Sequence, residues 1–127
     1  MREITKEWVW KAEEDFDTAD TMLYGRDVPI AAVVCFHCQQ CSEKYVKAFL
    51  EEHDVYFPRS HELLPLLDLC LKIDGGFETL EKDLRRLESF AVGVRYPGVL
   101  IKVNTAEAAY KAAERVRKFI RNKLGIE

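Results

Sequence analysis

Eighteen residues, Val33 to Leu50 (VVCFHCQQCSEKYVKAFL), constrain this chain more than any other stretch. At about 100° per residue, Ala32, Cys35, Phe36, Cys38, Tyr45, Val46, Phe49 and Leu50 spread over more than half the circumference of a helix. A helix apolar on so many sides must be surrounded by others, so the spacing predicts the central helix of a bundle, running from about Pro29 to His53. One stripe breaks the rule. Phe36, Gln40, Glu43, Lys47 and Leu50 recur at spacings of 4, 3, 4 and 3. A glutamine, a carboxylate and an ammonium therefore share a line with two large apolar residues, and a solvated face is not normally framed in that way.

The remaining segments supply the surrounding helices. Trp8, Ala12, Phe16, Ala19 and Leu23 mark one face of a helix over about Thr5 to Leu23, with Thr5 able to cap it. Asp15 falls on that apolar face, which requires either a rim position or a base from another helix. Trp10 lies nearly opposite Trp8, as a scattered apolar residue or part of a subunit interface. Gly25 to Pro29 is a turn. Pro58 forces extended backbone, and Ser60 can cap a third helix beginning at His61, apolar almost all round from Leu63 to Leu71. Phe77, Leu80, Leu84, Leu87, Ala91 and Val94 give a fourth helix after Gly75-Gly76, ended by Gly93 to Gly98. Asn104 with Glu107 resembles a capping box opening a fifth, whose core face is Ala106, Ala109, Ala113, Val116, Ile120 and Leu124. Nothing alternates with a period of two over a strand's length. The expected fold is all-α: a single domain over residues 1–127, an up-and-down bundle of four long helices plus a shorter fifth.

Composition narrows the function classes. No run approaches 18 apolar residues and the N-terminus lacks the pattern of a secretory signal, so a cytoplasmic protein with no membrane partner is expected. No Gly-rich loop follows a strand, which excludes P-loop and Rossmann phosphate sites. Residues 1–27 carry eight acids against four bases, and residues 102–127 seven bases against three acids. That asymmetry suits the polarity of a C-terminal helix or an acidic partner. Cys35, Cys38 and Cys41 read C-x-x-C-x-x-C, but on a helix they fan about 60° apart per step and do not converge on one ion. They read as small buried hydrophobes in a reducing compartment, and no metal or cofactor is expected.

Four polar features are left in or beside apolar surroundings: Gln39, Gln40, Glu43 and Lys47 on the central helix, Asp15 on the first, His61 at a helix start, and Arg95-Tyr96 where the fourth helix ends. Together, A-x-x-D-F-x-x-A over Ala12 to Ala19, Gln39-Gln40-x-x-Glu43-Lys44-x-x-Lys47-Ala48, Ser60-His61-x-Leu63 and Arg95-Tyr96-Pro97 resemble the HEPN domain (higher eukaryotes and prokaryotes nucleotide-binding). They run in the family's order and cover nearly the whole chain. The resemblance implies a helical homodimer, often paired with a minimal nucleotidyltransferase in a toxin–antitoxin or regulatory system. Active members cleave RNA without a metal through R-x(4 to 6)-H. Here Arg95 is followed by Tyr96, Pro97, Gly98, Val99, Leu100, Ile101 and Lys102, with no histidine at that spacing.

The missing imidazole matters because attack by a ribose 2′-hydroxyl needs proton transfer at two oxygens near neutral pH. The reading that follows is a partner protein that binds a nucleotide, an RNA or a cognate nucleotidyltransferase through Gln40, Glu43, Lys47, Arg95 and Tyr96. Lys47 and Arg95 contact phosphate, Gln40 offers its amide to a base or ribose, and Glu43 orients the cations. Two alternatives stand beside it. One is a ribonuclease in which His61 or His37 acts with Arg95. The other is a structural bundle that only oligomerises, with Glu43–Lys47 as a helix ion pair, His61 helping to begin a helix, and Arg95 paired to Asp15 or Glu43.

Overall fold

The computed structural model describes residues 1–91, 94 and 96–127. Three helices of 22 residues form the frame: α1 (Glu3–Tyr24), α2 (Ala31–Glu52) and α5 (Val103–Leu124). Two short ones, α3 (Leu63–Leu71) and α4 (Glu81–Glu88), close the bundle. Among the described residues every regular element is helical.

The central position expected for the cysteine-bearing stretch holds. α2 packs against α1, α3, α4 and α5. Val34, Cys35, Cys38, Cys41, Tyr45, Val46, Ala48 and Leu50 are all fully buried on it. α1 lies along one side through Val9, Ala12, Ala19 and Leu23, and α5 along another through Ala109, Ala113, Val116 and Ile120. The short α5 side chains let the helix axes approach closely. Large side chains fill the far end, where Phe77 meets Phe49 and Phe119 at ring separations of 4.4 and 5.0 Å.

Several predicted boundaries differ from those observed, the first being α1, which starts at Glu3 and holds Thr5 inside the helix rather than at its cap. The fourth helix, expected to run unbroken from Phe77 toward Val94, is divided: Gly75–Leu80 is 3₁₀, α4 follows, and Ser89–Ala91 is 3₁₀ again. Asp74 opens the first of these by accepting from the Gly76 amide at 2.8 Å, and its other oxygen is held by Lys123 of α5 at 2.8 Å. The tighter turn thus starts from a fixed point on another helix. The third helix starts at Leu63 rather than His61, because Ser60 Oγ accepts from the Glu62 amide and makes a local turn instead of a cap. The Glu88 carboxylate accepts from the Leu64 amide at 3.0 Å and so serves that helix start from α4. Helix α5 begins at Val103 with no side-chain cap.

The ends of the long helices are fixed by specific contacts. The Gly25 amide donates to Thr21 O, and a Cβ at that position would lie 2.8 Å from the same oxygen, so only glycine closes α1 in this way. Arg2 ties the start of α1 to the end of α2, its amide donating to Glu52 and its guanidinium to Glu51 O and Asp54. No helix among the described residues is long and apolar enough to cross a membrane.

Candidate functional site

The stripe of α2 that breaks the apolar pattern forms a connected polar network inside the bundle. Positions 39, 40, 43 and 47 fall on adjacent turns, so their side chains meet by helix geometry. Gln39, Glu43 and Lys47 are buried and Gln40 is half-buried. Lys47 Nζ lies 2.9 Å from Glu43 Oε2, and the two side chains are only 7% and 4% exposed. The ammonium also sits over the rings of Trp8 (5.5 Å) and Phe57 (5.7 Å). Two aromatic faces and one carboxylate thereby offset the desolvation of this cation.

The second oxygen of Glu43 faces the segment before α3. His61 Nδ1 lies 3.0 Å from Oε1 while its ring remains 66% exposed. With a carboxylate as acceptor, Nδ1 carries the proton and donates. Gln39 fixes the same segment, donating to His61 O at 3.0 Å and to Glu43 Oε1 at 3.3 Å. Gln40 donates to Gln39 Oε1 at 2.7 Å. His61 is therefore a positioned imidazole at the bundle surface, resting on a buried carboxylate.

A similar construction stands on the other flank of Gln40. Asp15, on the inner face of α1, is buried and has both a base and an imidazole as partners. Lys44 Nζ lies 2.5 Å from its Oδ2 and His37 Nδ1 lies 2.7 Å from its Oδ1. Of the two placements the sequence allowed for Asp15, the paired one is observed.

Of the residues singled out in the sequence, Gln40, Glu43, Lys47 and His61 are brought together. Tyr96 is 58% exposed. Arg95 lies outside the described residues. Gln39 is more central than its place in the motif suggested, since it joins the network to the chain before α3. The His37 and Lys44 pairing was missed. The available signal was their separation of seven residues, which puts both on the α2 edge that faces α1.

Two further polar clusters brace the bundle. Glu13 accepts from Arg117 at 2.7 Å on each oxygen and from the Tyr45 hydroxyl, which in turn accepts from Arg121 at 3.1 Å. Burial opposes ionisation of Glu13, but the Arg117 and Tyr45 hydrogen bonds and the two guanidinium charges outweigh it and hold its pKa below the ordinary 4.5. Asp83 receives a bidentate Arg115. All four cysteines are buried thiols. Burial pushes Cys35 up to about 11 and Cys70 up to about 12. Cys38 and Cys41 are raised further.

The HEPN domain model matches residues 5–123. Two crystal structures share the fold. One, of an archaeal HEPN homologue, has 21% sequence identity and a TM-score of 0.72, covering 97% of this chain and 98% of that one. The other, of a Thermus thermophilus protein, has 21% identity and a TM-score of 0.76, covering 96% of this chain and 99% of that one. No curated protein matches the sequence significantly. With the family's sequence pattern spanning nearly all of an all-helical bundle of the same shape, this chain belongs to the HEPN domain family.

Proposed function

We propose that this domain is a HEPN module that binds a nucleotide, free or within RNA, at the polar seam of α2, and that it works as a homodimer beside a cognate minimal nucleotidyltransferase in a toxin–antitoxin-like or regulatory pair. The observation that carries the binding role is the Glu43–His61 pair, a solvent-facing imidazole held at 3.0 Å by a buried carboxylate that has its own lysine. Such an imidazole has a fixed orientation and keeps Nε2 for a ligand, with no partner for that atom among the described residues. The half-buried Gln40 amide beside it suits the edge of a base or a ribose hydroxyl. From the family's sequence pattern, Arg95 is assigned to phosphate and the exposed Tyr96 ring to a base. Lys47 is the counter-charge of Glu43 here, so its ammonium is not assigned to phosphate.

The same pair favours a second reading. A carboxylate-oriented imidazole is a general acid or base, so His61 with Arg95 could serve a metal-independent ribonuclease despite the absent R-x(4 to 6)-H. One experiment separates the two. Purified protein is titrated with AMP by calorimetry and incubated with a mixed RNA pool in EDTA, beside Arg95→Ala and His61→Ala. The binding role predicts AMP affinity weakened in both variants, an unchanged melting temperature for Arg95→Ala, and intact RNA. RNA cleavage lost in either variant would replace the binding role with the nuclease.

A further inference from the structure

The Asp15 cluster offers more than an ion pair. Lys44 already balances the charge of Asp15, so the imidazole of His37 is not required for neutrality. It does something else. Oδ1 takes Nδ1 of His37 at 2.7 Å and Oδ2 takes Nζ of Lys44 at 2.5 Å, so one buried carboxylate holds an imidazole and an ammonium from positions two turns apart. The Phe36 ring packs against the imidazole edge-on, with centroids 5.3 Å apart and planes at 82°, and limits its rotation. Both heads stay partly open to solvent, His37 at 26% and Lys44 at 24%, while the carboxylate between them is 10% exposed. Among the described residues, neither His37 Nε2 nor the remaining N–H bonds of Lys44 has a hydrogen-bond partner.

An ammonium and an imidazole held by one buried carboxylate at an open edge suit a phosphate group, Lys44 through its remaining N–H bonds and His37 through Nε2–H when its ring is protonated. The location matches too. Positions 37 and 43 lie about 60° to either side of Gln40 around the helix, so His37 and the Glu43–His61 pair flank the same half-buried amide. We infer that His37 Nε2 and Lys44 Nζ form a phosphate-binding subsite, oriented by Asp15, for the phosphate group of the nucleotide whose base or sugar meets Gln40. Asp15 is a positioning residue in this arrangement. The inference rests on the nucleotide-binding role proposed above and names where the phosphate sits.

The test uses inorganic pyrophosphate, AMP and adenosine as probes on the intact protein. His37→Asn is the informative variant, because its amide can still donate to Asp15 while Nε2 is gone. We expect pyrophosphate and AMP to bind His37→Asn at least about tenfold more weakly than wild type, the size of one lost charge-assisted hydrogen bond, at an unchanged melting temperature. Adenosine binding is expected to be equal in the two proteins. In wild type, the His37 ring signals in a histidine-selective NMR spectrum shift on adding pyrophosphate. Should His37→Asn hold AMP and pyrophosphate as tightly as wild type, with the His37 signals unmoved, the subsite is wrong and the nucleotide-binding role stands. Should wild type bind none of the three probes, both fall.

Discussion

Glu43 and His61, 18 residues apart, are joined at 3.0 Å across the boundary between α2 and the segment that precedes α3. The contact makes a residue of the core and a residue of the surface parts of one unit. Whatever reaches the imidazole acts on a carboxylate that is only 4% exposed, and through it on Lys47.

Stability should be sensitive to this unit. Glu43→Ala leaves Lys47 as an unpaired buried cation and is expected to cost about 3–5 kcal/mol, read from urea unfolding. The exposed Glu81–Arg85 pair, at 3.5 Å with side chains 50% and 65% exposed, is the control. Glu81→Ala should change stability by no more than about 0.5 kcal/mol. Equal losses for the two variants would mean that water reaches Lys47.

Acid should weaken the brace between α1 and α5. The folded Glu13 titrates below the ordinary 4.5, so between the two values the unfolded chain takes up more protons. Its contribution is fully present above about pH 4.5 and is lost as pH falls through the folded value. Unfolding midpoints measured from pH 7 to pH 3 should drop steeply at the acid end in wild type. In Glu13→Gln the midpoint should start lower at pH 7, since Arg117 and Arg121 lose their carboxylate, and then fall less steeply.

The thiols should be silent in the folded protein. Cys35, Cys38, Cys41 and Cys70 are buried, with pKa values raised by desolvation, so almost no thiolate exists at pH 8. Labelling with a disulfide reagent should proceed at the rate of unfolding and accelerate in urea. Rapid labelling of one thiol in native buffer would show local opening of α2 or α3.

Glycine at position 25 should resist replacement. Gly25→Ala places a methyl 2.8 Å from Thr21 O and is expected to lower stability by about 1–2 kcal/mol in thermal unfolding. Substitution at Gly75, where an added Cβ meets nothing within 4 Å, should be far milder.

Much of the fold was legible because helix periodicity is a local property. The faces of α1, α2 and α5 follow from spacing alone, and the apolar circumference of the α2 stretch identified it as central. The extent of the fourth helix was not legible, because its 3₁₀ opening depends on Lys123, nearly fifty residues away, holding Asp74. The site divides in the same way. Glu43–Lys47 is an i,i+4 pair and could be read directly, whereas Glu43–His61 and Asp15–His37 join residues 18 and 22 positions apart. Such pairings depend on how helices dock. His37, about 60° from Gln40 around the helix, joins this polar surface only through Asp15, once α1 docks beside α2.

The enclosure of α2 has a consequence for how any ligand is received. A polar seam built into the most confined helix has no hinge, so recognition would use a preorganised template, and little ordering cost would be taken from the affinity. Occupancy and folding are then coupled by mass action: a ligand at about 100 times its Kd adds about 2.7 kcal/mol to the stability of the domain. Where unfolded chains are degraded, empty copies would be removed faster than filled ones, and the amount of this protein in a cell would itself record the supply of its ligand.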